Sequence, residues 1–214
     1  MLRIDFISDI NCPWCALGLA ALDAAIKQLG DEIPVEIHCQ PFELNPQIPA
    51  DGVNLHDYLQ QKYGMDDAQI RGVHDTIAAR GRALNFSFAE REFLWNSFNC
   101  HRLLYWAEQD YSAEKQLELK RALMQAYQGE GKNINDTSVL LDIIAPLQLD
   151  KNRAIEILAG DAYSSDVRRV QQQWAQAGIT AVPSIVINRQ HLLQGAQAPE
   201  TYVQALRELA AKSS

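Results

Sequence analysis

The sequence predicts an α/β fold interrupted by a large all-helical insertion. Residues 1–41 read as strand, helix and strand. Residues 55–177 carry helical periodicity and almost no strand signal. Residues 184–212 return to a strand pair and one closing helix.

Leu2 to Ser8 alternates, with Leu2, Ile4 and Phe6 set against Arg3 and Asp5, and predicts a first strand. Leu17, Ala20, Ala21, Ala24, Ala25 and Leu29 then recur at helical spacing, with Gly30 placed to end the helix. Val35, Ile37 and Cys39 against Glu36, His38 and Gln40 predict a second strand, closed by Pro41. With a right-handed crossover this opening is a βαβ unit.

The middle of the chain holds successive helical stripes: Ile70, Val73, Ile77, Ala78 and Leu84; Leu94, Phe98, His101 and Tyr105; Leu119, Leu123 and Tyr127. Val139, Leu140, Ile143 and Ile144 precede Pro146, and Val167, Val170, Trp174 and Ala177 stop at Gly178. Ser112 and Asp136-Thr137 mark helix starts. The stripes read as core packing. Ser184 to Ile187 and His191 to Leu193, joined around Asn188-Arg189-Gln190, predict a hairpin. Pro199 opens a last helix with Tyr202, Val203, Leu206 and Leu209 on its buried side, and the Lys212-Ser213-Ser214 tail is expected to fray.

The 214 residues are 47% hydrophobic and 21% charged, enough for one core and one domain with an insertion. Nineteen Lys and Arg against 27 Asp and Glu leave a net charge of −8 and no basic cluster, which argues against a nucleic-acid partner. No apolar stretch approaches the ~20 residues that span a bilayer. The chain also opens without a basic n-region or an apolar h-region, so a soluble, cytoplasmic protein with no membrane partner is expected.

Of the four cysteines, Cys12 and Cys15 form a C-x-x-C pair, while Cys39 and Cys100 stand alone. Such a pair in a chain without an export signal points to redox chemistry or half of a zinc site. Zinc needs two further ligands, and neither Cys39 with His38 nor Cys100 has a partner at ligand spacing; no metal is expected. The redox reading fits the placement. Cys12 falls near the N-cap of the first helix, with Pro13 at its first position, where a missing N–H costs nothing. Residues i and i+3 on a first turn are about 5–6 Å apart at Cα, within disulfide range. The unpaired N–H groups and positive dipole end favour a thiolate at Cys12, the nucleophile of disulfide exchange. Cys15, a turn deeper, is placed to resolve a mixed disulfide.

Cys12-Pro13-Trp14-Cys15 after a strand, with Ala181-Val182-Pro183 before another, resembles the thioredoxin fold in its DsbA-like form, which carries a helical insertion. More narrowly, the chain resembles the FrnE-like branch of DsbA oxidoreductases, relatives of 2-hydroxychromene-2-carboxylate isomerases and kappa-class glutathione transferases. Matching pieces include Ser8-Asp9, Leu17-Gly18, Gln40-Pro41-Phe42-Glu43-Leu44-Asn45-Pro46, Asn99 with His101-Arg102-Leu103, Gly178-Ile179, Val186-Ile187-Asn188 and Gly195-Ala196-Gln197. The resemblance divides the chain into a thioredoxin-like domain (1–54 and 164–214) and an inserted helical domain (55–163). It implies a cis Val182-Pro183 peptide facing Cys12, where the Val182 backbone can pair with an extended substrate. The chain departs from the family pattern at Ala16, often an aromatic residue and expected to alter the groove beside Trp14, and at Cys100, usually alanine. Cys39 and Cys100 read as buried small hydrophobes, with a regulatory or mixed-disulfide role as the alternative for Cys100.

Pro13 is expected to set the redox poise and Trp14 to form part of an exposed apolar recognition surface. Asp9 is a candidate for tuning Cys12 or relaying a proton, with an exposed loop carboxylate as the alternative. His101 and Arg102 are candidate glutathione or substrate contacts, against a packing histidine and a surface ion pair. Asn45 and Gln197 offer amides to a peptide-like ligand or serve turns.

The expected function is a thiol–disulfide oxidoreductase, Cys12 attacking and Cys15 resolving, on protein, peptide or small-molecule disulfides. No tightly bound cofactor is expected, and glutathione is a candidate redox co-substrate. The alternatives are a glutathione-dependent isomerase or transferase, whose families generally place serine where Cys12 stands, and a non-catalytic peptide binder using the Trp14/Pro183 groove. Monomer and homodimer both remain open.

Overall fold

The computed structural model describes residues 1–212; Ser213 and Ser214 of the expected fraying tail lie outside the described residues. Strand β1 (Leu2–Ser8) leads into α1 (Pro13–Leu29) and returns through β2 (Val35–Pro41), parallel to β1 with Phe6 opposite Cys39. Gly30 ends α1 at φ 53°. Near the C-terminus β5 (Ser184–Ile187) pairs antiparallel with β1, and β6 (His191–Gln194) with β5, giving the sheet order β2-β1-β5-β6. The hairpin turn holds Asn188 and Arg189 at φ 51° and 56°, the left-handed geometry a tight antiparallel turn requires. Helix α9 (Pro199–Lys212) runs through Lys212, so that residue closes the helix rather than fraying.

Between β2 and β5 lie α2 (Leu55–Tyr63), α3 (Asp67–Ala83), α4 (Phe98–Asp110), α5 (Ala113–Met124), α6 (Thr137–Ile144), α7 (Lys151–Ala159) and α8 (Ser164–Gln176). Ser112 and Asp136 cap α5 and α6 as expected, accepting from the Lys115 and Ser138 amides. A π-helical turn over Gln125–Gly129 extends α5. The insertion is not wholly helical. Within it, β4 (Phe93–Leu94) pairs antiparallel with β3 (Val53–Asn54), which lies just before the insertion; both are too short to show any periodicity, and Leu94 therefore belongs to β4 rather than to α4.

Two cores meet at α1. One face of the sheet (Leu2, Ile4, Phe6, Ile185, Ile187) packs on Leu19, Leu22 and Ala25 of α1 and on Tyr202, Val203 and Leu206 of α9. The helical core gathers Leu103 and Trp106 of α4, Leu119 and Leu123 of α5, and Leu140, Ile144 and Ile157 beyond them. Cys12, Cys15 and Ala16 belong to this second core, so the start of α1 is clamped between sheet and insertion.

The alternation in β1 does not mark a wet face. Asp5 is fully buried, its carboxylate held by Arg3 at 2.7 and 3.1 Å and by Gln40 at 2.8 Å. Strand β2 is a sheet edge, and Gln116 of α5 covers it. Its side chain accepts from the Cys39 N–H (2.7 Å) and donates to the Cys39 carbonyl (3.0 Å), doing for one residue what a further strand would do.

Candidate active site

Cys12 stands at the N-cap of α1, with Pro13 beginning the helix and the Cys15 and Ala16 N–H groups bonded to the Cys12 carbonyl. Its N–H donates to the Asp9 carbonyl at 3.2 Å. The Cys12 thiol faces the Val182 carbonyl, with Sγ to O at 3.8 Å. The Val182-Pro183 peptide is cis. The structure thus brings together Cys12, Cys15, Val182 and Pro183 from opposite ends of the sequence. Cys12 is only 3% exposed and Cys15 is fully buried. Burial first, then the hydrogen bond and charge of the Cys12 sulfur, push the Cys15 thiol well above its ordinary value; the Asp9 backbone and the Lys120 cation work in the other direction. Among the described residues the four cysteines are free thiols.

Gly18, one turn beyond Cys15, is what lets Pro183 approach α1. A Cβ there would stand 3.0 Å from Pro183 Cγ and 3.7 Å from the Ala196 Cα. The segment Gly195-Ala196-Gln197 therefore joins the site through backbone proximity. Gln197 spends its side-chain amide on the Gln194 carbonyl (2.6 Å), a turn role. The Asn45 side chain likewise accepts from Tyr58 and Lys62, both at 2.5 Å.

Asp9 is no exposed loop carboxylate: it is fully buried. It accepts from Ser97 Oγ (2.7 Å), the Leu44 N–H (2.8 Å) and the Asn11 N–H (3.2 Å), which ties the end of β1 to the start of α4. His101 Nε2 lies 3.5 Å from Asp9 Oδ1, in ion-pair range but outside hydrogen-bond geometry. Burial alone would raise the Asp9 carboxyl; His101, Leu44 and Ser97 together outweigh it and hold the group below the usual carboxylate range.

Arg102 is not a surface ion pair. It is buried and donates to the carbonyls of Ile157, Gly160 and Ala162 and to Asn99 Oδ1, fastening α4 to α7 and the turn after it.

Trp14 is half-buried rather than fully exposed, because the Arg80 guanidinium of α3 sits 5.3 Å from its ring centre while bonding the Ala196 carbonyl at 2.9 Å. The free side of Trp14 lines a groove with Tyr63, Met65, Val73 and Thr76. Ala16 lies away from that groove, facing Phe86 and Met124 on the other side of α1. Cys39 and Cys100 are buried as expected, and burial lifts both thiols to about 12. Sequence reasoning missed Ser97, Arg80, Gln116, Lys120 and Gln128. No local pattern marks them, since each meets its neighbours only across the fold.

A dithiol at a strand-to-helix junction, facing a cis proline at the foot of an antiparallel strand, defines a protein of the thioredoxin fold. The chain belongs to the DSBA-like thioredoxin domain family, whose model matches residues 3–207. It is 26% identical over 212 residues to the uncharacterized protein YwbO of Bacillus subtilis, covering 96% of each chain. Among solved structures it is similar to a probable DsbA oxidoreductase of Streptomyces coelicolor, with 29% identity, a TM-score of 0.89 and coverage of 97% of this chain and 89% of that one. A 2-hydroxychromene-2-carboxylate isomerase shares the fold at 13% identity and a TM-score of 0.74, covering 99% and 97% of the two chains. So does the cytosolic disulfide reductase DsbM of Pseudomonas aeruginosa, solved with GSH, at 15% identity and 0.63, covering 98% and 99%.

Proposed function

We propose that the protein is a thiol–disulfide oxidoreductase of the FrnE-like branch, working in the cytoplasm on protein, peptide or small-molecule disulfides. The observation that carries this reading is the position of Cys12, at the N-cap of α1 and 3.8 Å from the Val182 carbonyl, with Cys15 shielded one turn behind it. The Cys12 thiolate attacks one sulfur of the substrate disulfide. A Cys12–substrate disulfide forms and the other substrate sulfur leaves as a thiolate. Cys15 then loses its proton to solvent and attacks Cys12 Sγ. The Cys12–Cys15 bond forms, the mixed disulfide breaks, and the second thiol is released. The Val182 backbone beside Cys12 suits pairing with an extended substrate. Pro13 and Trp14 flank the nucleophile, and the Asp9–His101 pair beneath it tunes the exchange.

Glutathione is the proposed redox co-substrate, with no cofactor held tightly. A DsbM of the same fold, solved with GSH, supports that choice. The proposed division is residues 1–54 and 164–214 against 55–163, with Cys12, Cys15 and Ala16 of the first part packing into the helical core of the second, and the protein works as a monomer or homodimer.

Equilibration in graded glutathione buffers, read by tryptophan fluorescence and mass, tests the reading. A reversible Cys12–Cys15 disulfide is expected. Its midpoint, near roughly −270 or −120 mV, would distinguish a reductant from an oxidant. Absence of an internal disulfide, with glutathione conjugation or isomerisation surviving loss of both cysteines, would favour a transferase or isomerase instead. Cys12→Ser should be inert, whereas Cys15→Ser should accumulate trapped mixed disulfides visible on non-reducing gels.

A further inference from the structure

A groove of about 450 Å³ opens beside Trp14, two residues from Cys12. Its other wall is the end of α2 and one face of α3, with Tyr63, Met65, Gln69, Val73 and Thr76 lining it. Tyr63 and Val73 are 56% and 40% exposed, among the least covered large apolar side chains of the protein. Gly72 belongs to the same wall, in the middle of α3, where glycine is less favourable than alanine. A Cβ at Gly72 would meet nothing within 4 Å, so no neighbour requires the glycine. What it provides is width in the groove.

No carboxylate lines this groove among the described residues. Asp66 and Asp67, the nearest in the chain, are engaged at the start of α3. Asp66 accepts from the Gln69 N–H at 2.8 Å, and Asp67 accepts from Gln60 Nε2 at 2.9 Å with His56 Nε2 3.1 Å away. Cations stand at the two ends instead. Arg80, one turn beyond Thr76, lies 5.3 Å from the Trp14 ring centre and donates through Nη2 to the Ala196 carbonyl at 2.9 Å. The neighbouring Gly195 N–H bonds the Pro183 carbonyl at 2.8 Å, so this guanidinium is fixed between the dithiol motif and the cis-proline loop. Its Nε and Nη1 have no hydrogen-bond partner among the described residues. At the other end Lys62 Nζ is 5.5 Å from the Tyr63 ring centre and donates to Asn45 Oδ1 at 2.5 Å. Neither cation pairs with a carboxylate among the described residues, in a chain whose net charge is −8.

We infer that this groove is a substrate subsite beside the dithiol, selecting peptide disulfides that carry a large apolar side chain and a carboxylate next to the cysteine. This rests on the oxidoreductase reading above. The apolar side chain fills the space between Trp14 and Gly72. The carboxylate accepts from the free Nε and Nη1 donors of Arg80, a charge-assisted contact at the end of the groove nearest Pro183. Arg80 is held in advance by the Trp14 ring and the Ala196 carbonyl, so little ordering is left for the substrate to supply. Such a contact acts on encounter and therefore on the rate at which Cys12 attacks. The exchange itself is unaltered: the Cys12 thiolate bonds to one substrate sulfur, the substrate disulfide breaks, and the other sulfur leaves as a thiolate.

The test uses the full chain, reduced, and three symmetrical peptide disulfides that differ only after the cysteine, in Leu-Glu, Leu-Lys or Ser-Glu. Oxidation of the protein is followed by tryptophan fluorescence and mass. Each rate is divided by that of the same disulfide with dithiothreitol, which removes the peptide's own reactivity. Leu-Glu should react about tenfold faster than Leu-Lys, the scale of attraction replaced by repulsion at one exposed charge pair, and faster than Ser-Glu. Arg80→Gln should bring the Leu-Glu and Leu-Lys rates together, Arg80→Lys should keep them apart, and added salt should narrow the gap. Thr76→Glu, which gives Arg80 a carboxylate one turn away, should also bring them together and serves if Arg80→Gln fails to fold. Gly72→Leu fills the groove with a better helix former, and should erase the preference for Leu-Glu over Ser-Glu without loss of thermal stability. Equal rates for all three disulfides overturn the inference. So does a glutamate preference that survives loss of the Arg80 charge, or a leucine preference that survives Gly72→Leu. If none of the three oxidises the dithiol, the oxidoreductase reading fails instead.

Discussion

The Ser97 hydroxyl donates to Asp9 Oδ1 over 2.7 Å, joining residues 88 positions apart and both buried. Through this bond the end of β1, three residues before Cys12, is fastened to the first turn of α4. Sheet and insertion therefore meet directly beneath the attacking cysteine.

Asp9 should matter for acid stability. Its carboxyl is held below the usual range, so its contribution is complete above the ordinary carboxylate value and is lost as pH falls through the lowered folded value. Urea midpoints taken from neutral pH downward should fall more steeply for the parent than for Asp9→Asn. At neutral pH, Asp9→Ala should cost about 2–3 kcal/mol, because Ser97, Leu44 and Asn11 lose their acceptor inside the protein. Parallel acid profiles for parent and Asp9→Asn would rule out the carboxylate as their cause.

Gly18→Ala should separate stability from activity. Alanine is favoured over glycine in a helix by about 1 kcal/mol, yet its Cβ would press on Pro183 Cγ at 3.0 Å. The two effects oppose each other, so stability should change by less than about 1 kcal/mol. Disulfide exchange should nevertheless fall about tenfold, since the Val182-Pro183 backbone is displaced from Cys12. Calorimetry alongside an insulin-reduction assay checks both halves; an unaltered rate would mean the loop absorbs the contact.

Alkaline pH should expose the buried thiols. Cys39 and Cys100 sit near 12 in the fold against 9.0 ordinarily, so each helps stability below 9.0 and loses that help as pH rises toward 12. The loss at full titration is roughly 4 kcal/mol per thiol. A Cys39→Ala, Cys100→Ala protein should start less stable, from lost packing, but show a flatter decline above pH 9.0 in urea denaturation. Equal slopes would place the alkaline sensitivity elsewhere.

The sequence by itself determined whatever rests on local periodicity and local chemistry. Alternation in Leu2–Ser8 and Ser184–Ile187, the stripes of α1, α3 and α6, the caps Ser112 and Asp136, and the Cys12/Pro13 helix start are all interactions within a few residues, and the chain carries them wherever it lies. Tertiary structure decided the polar groups. Asp5, Asp9, Arg102 and Lys120 all look like surface residues in sequence, and all are buried, because a strand with both faces covered and a helix packed on two sides leave no wet side for the charge expected there. The two-residue pair β3–β4 was equally invisible, being shorter than one period of the pattern that would reveal it. For the same reason the dithiol could be located from sequence, while its surroundings (Val182 across from Cys12, Arg80 over Trp14) arise only when segments 66 to 170 residues apart are brought together.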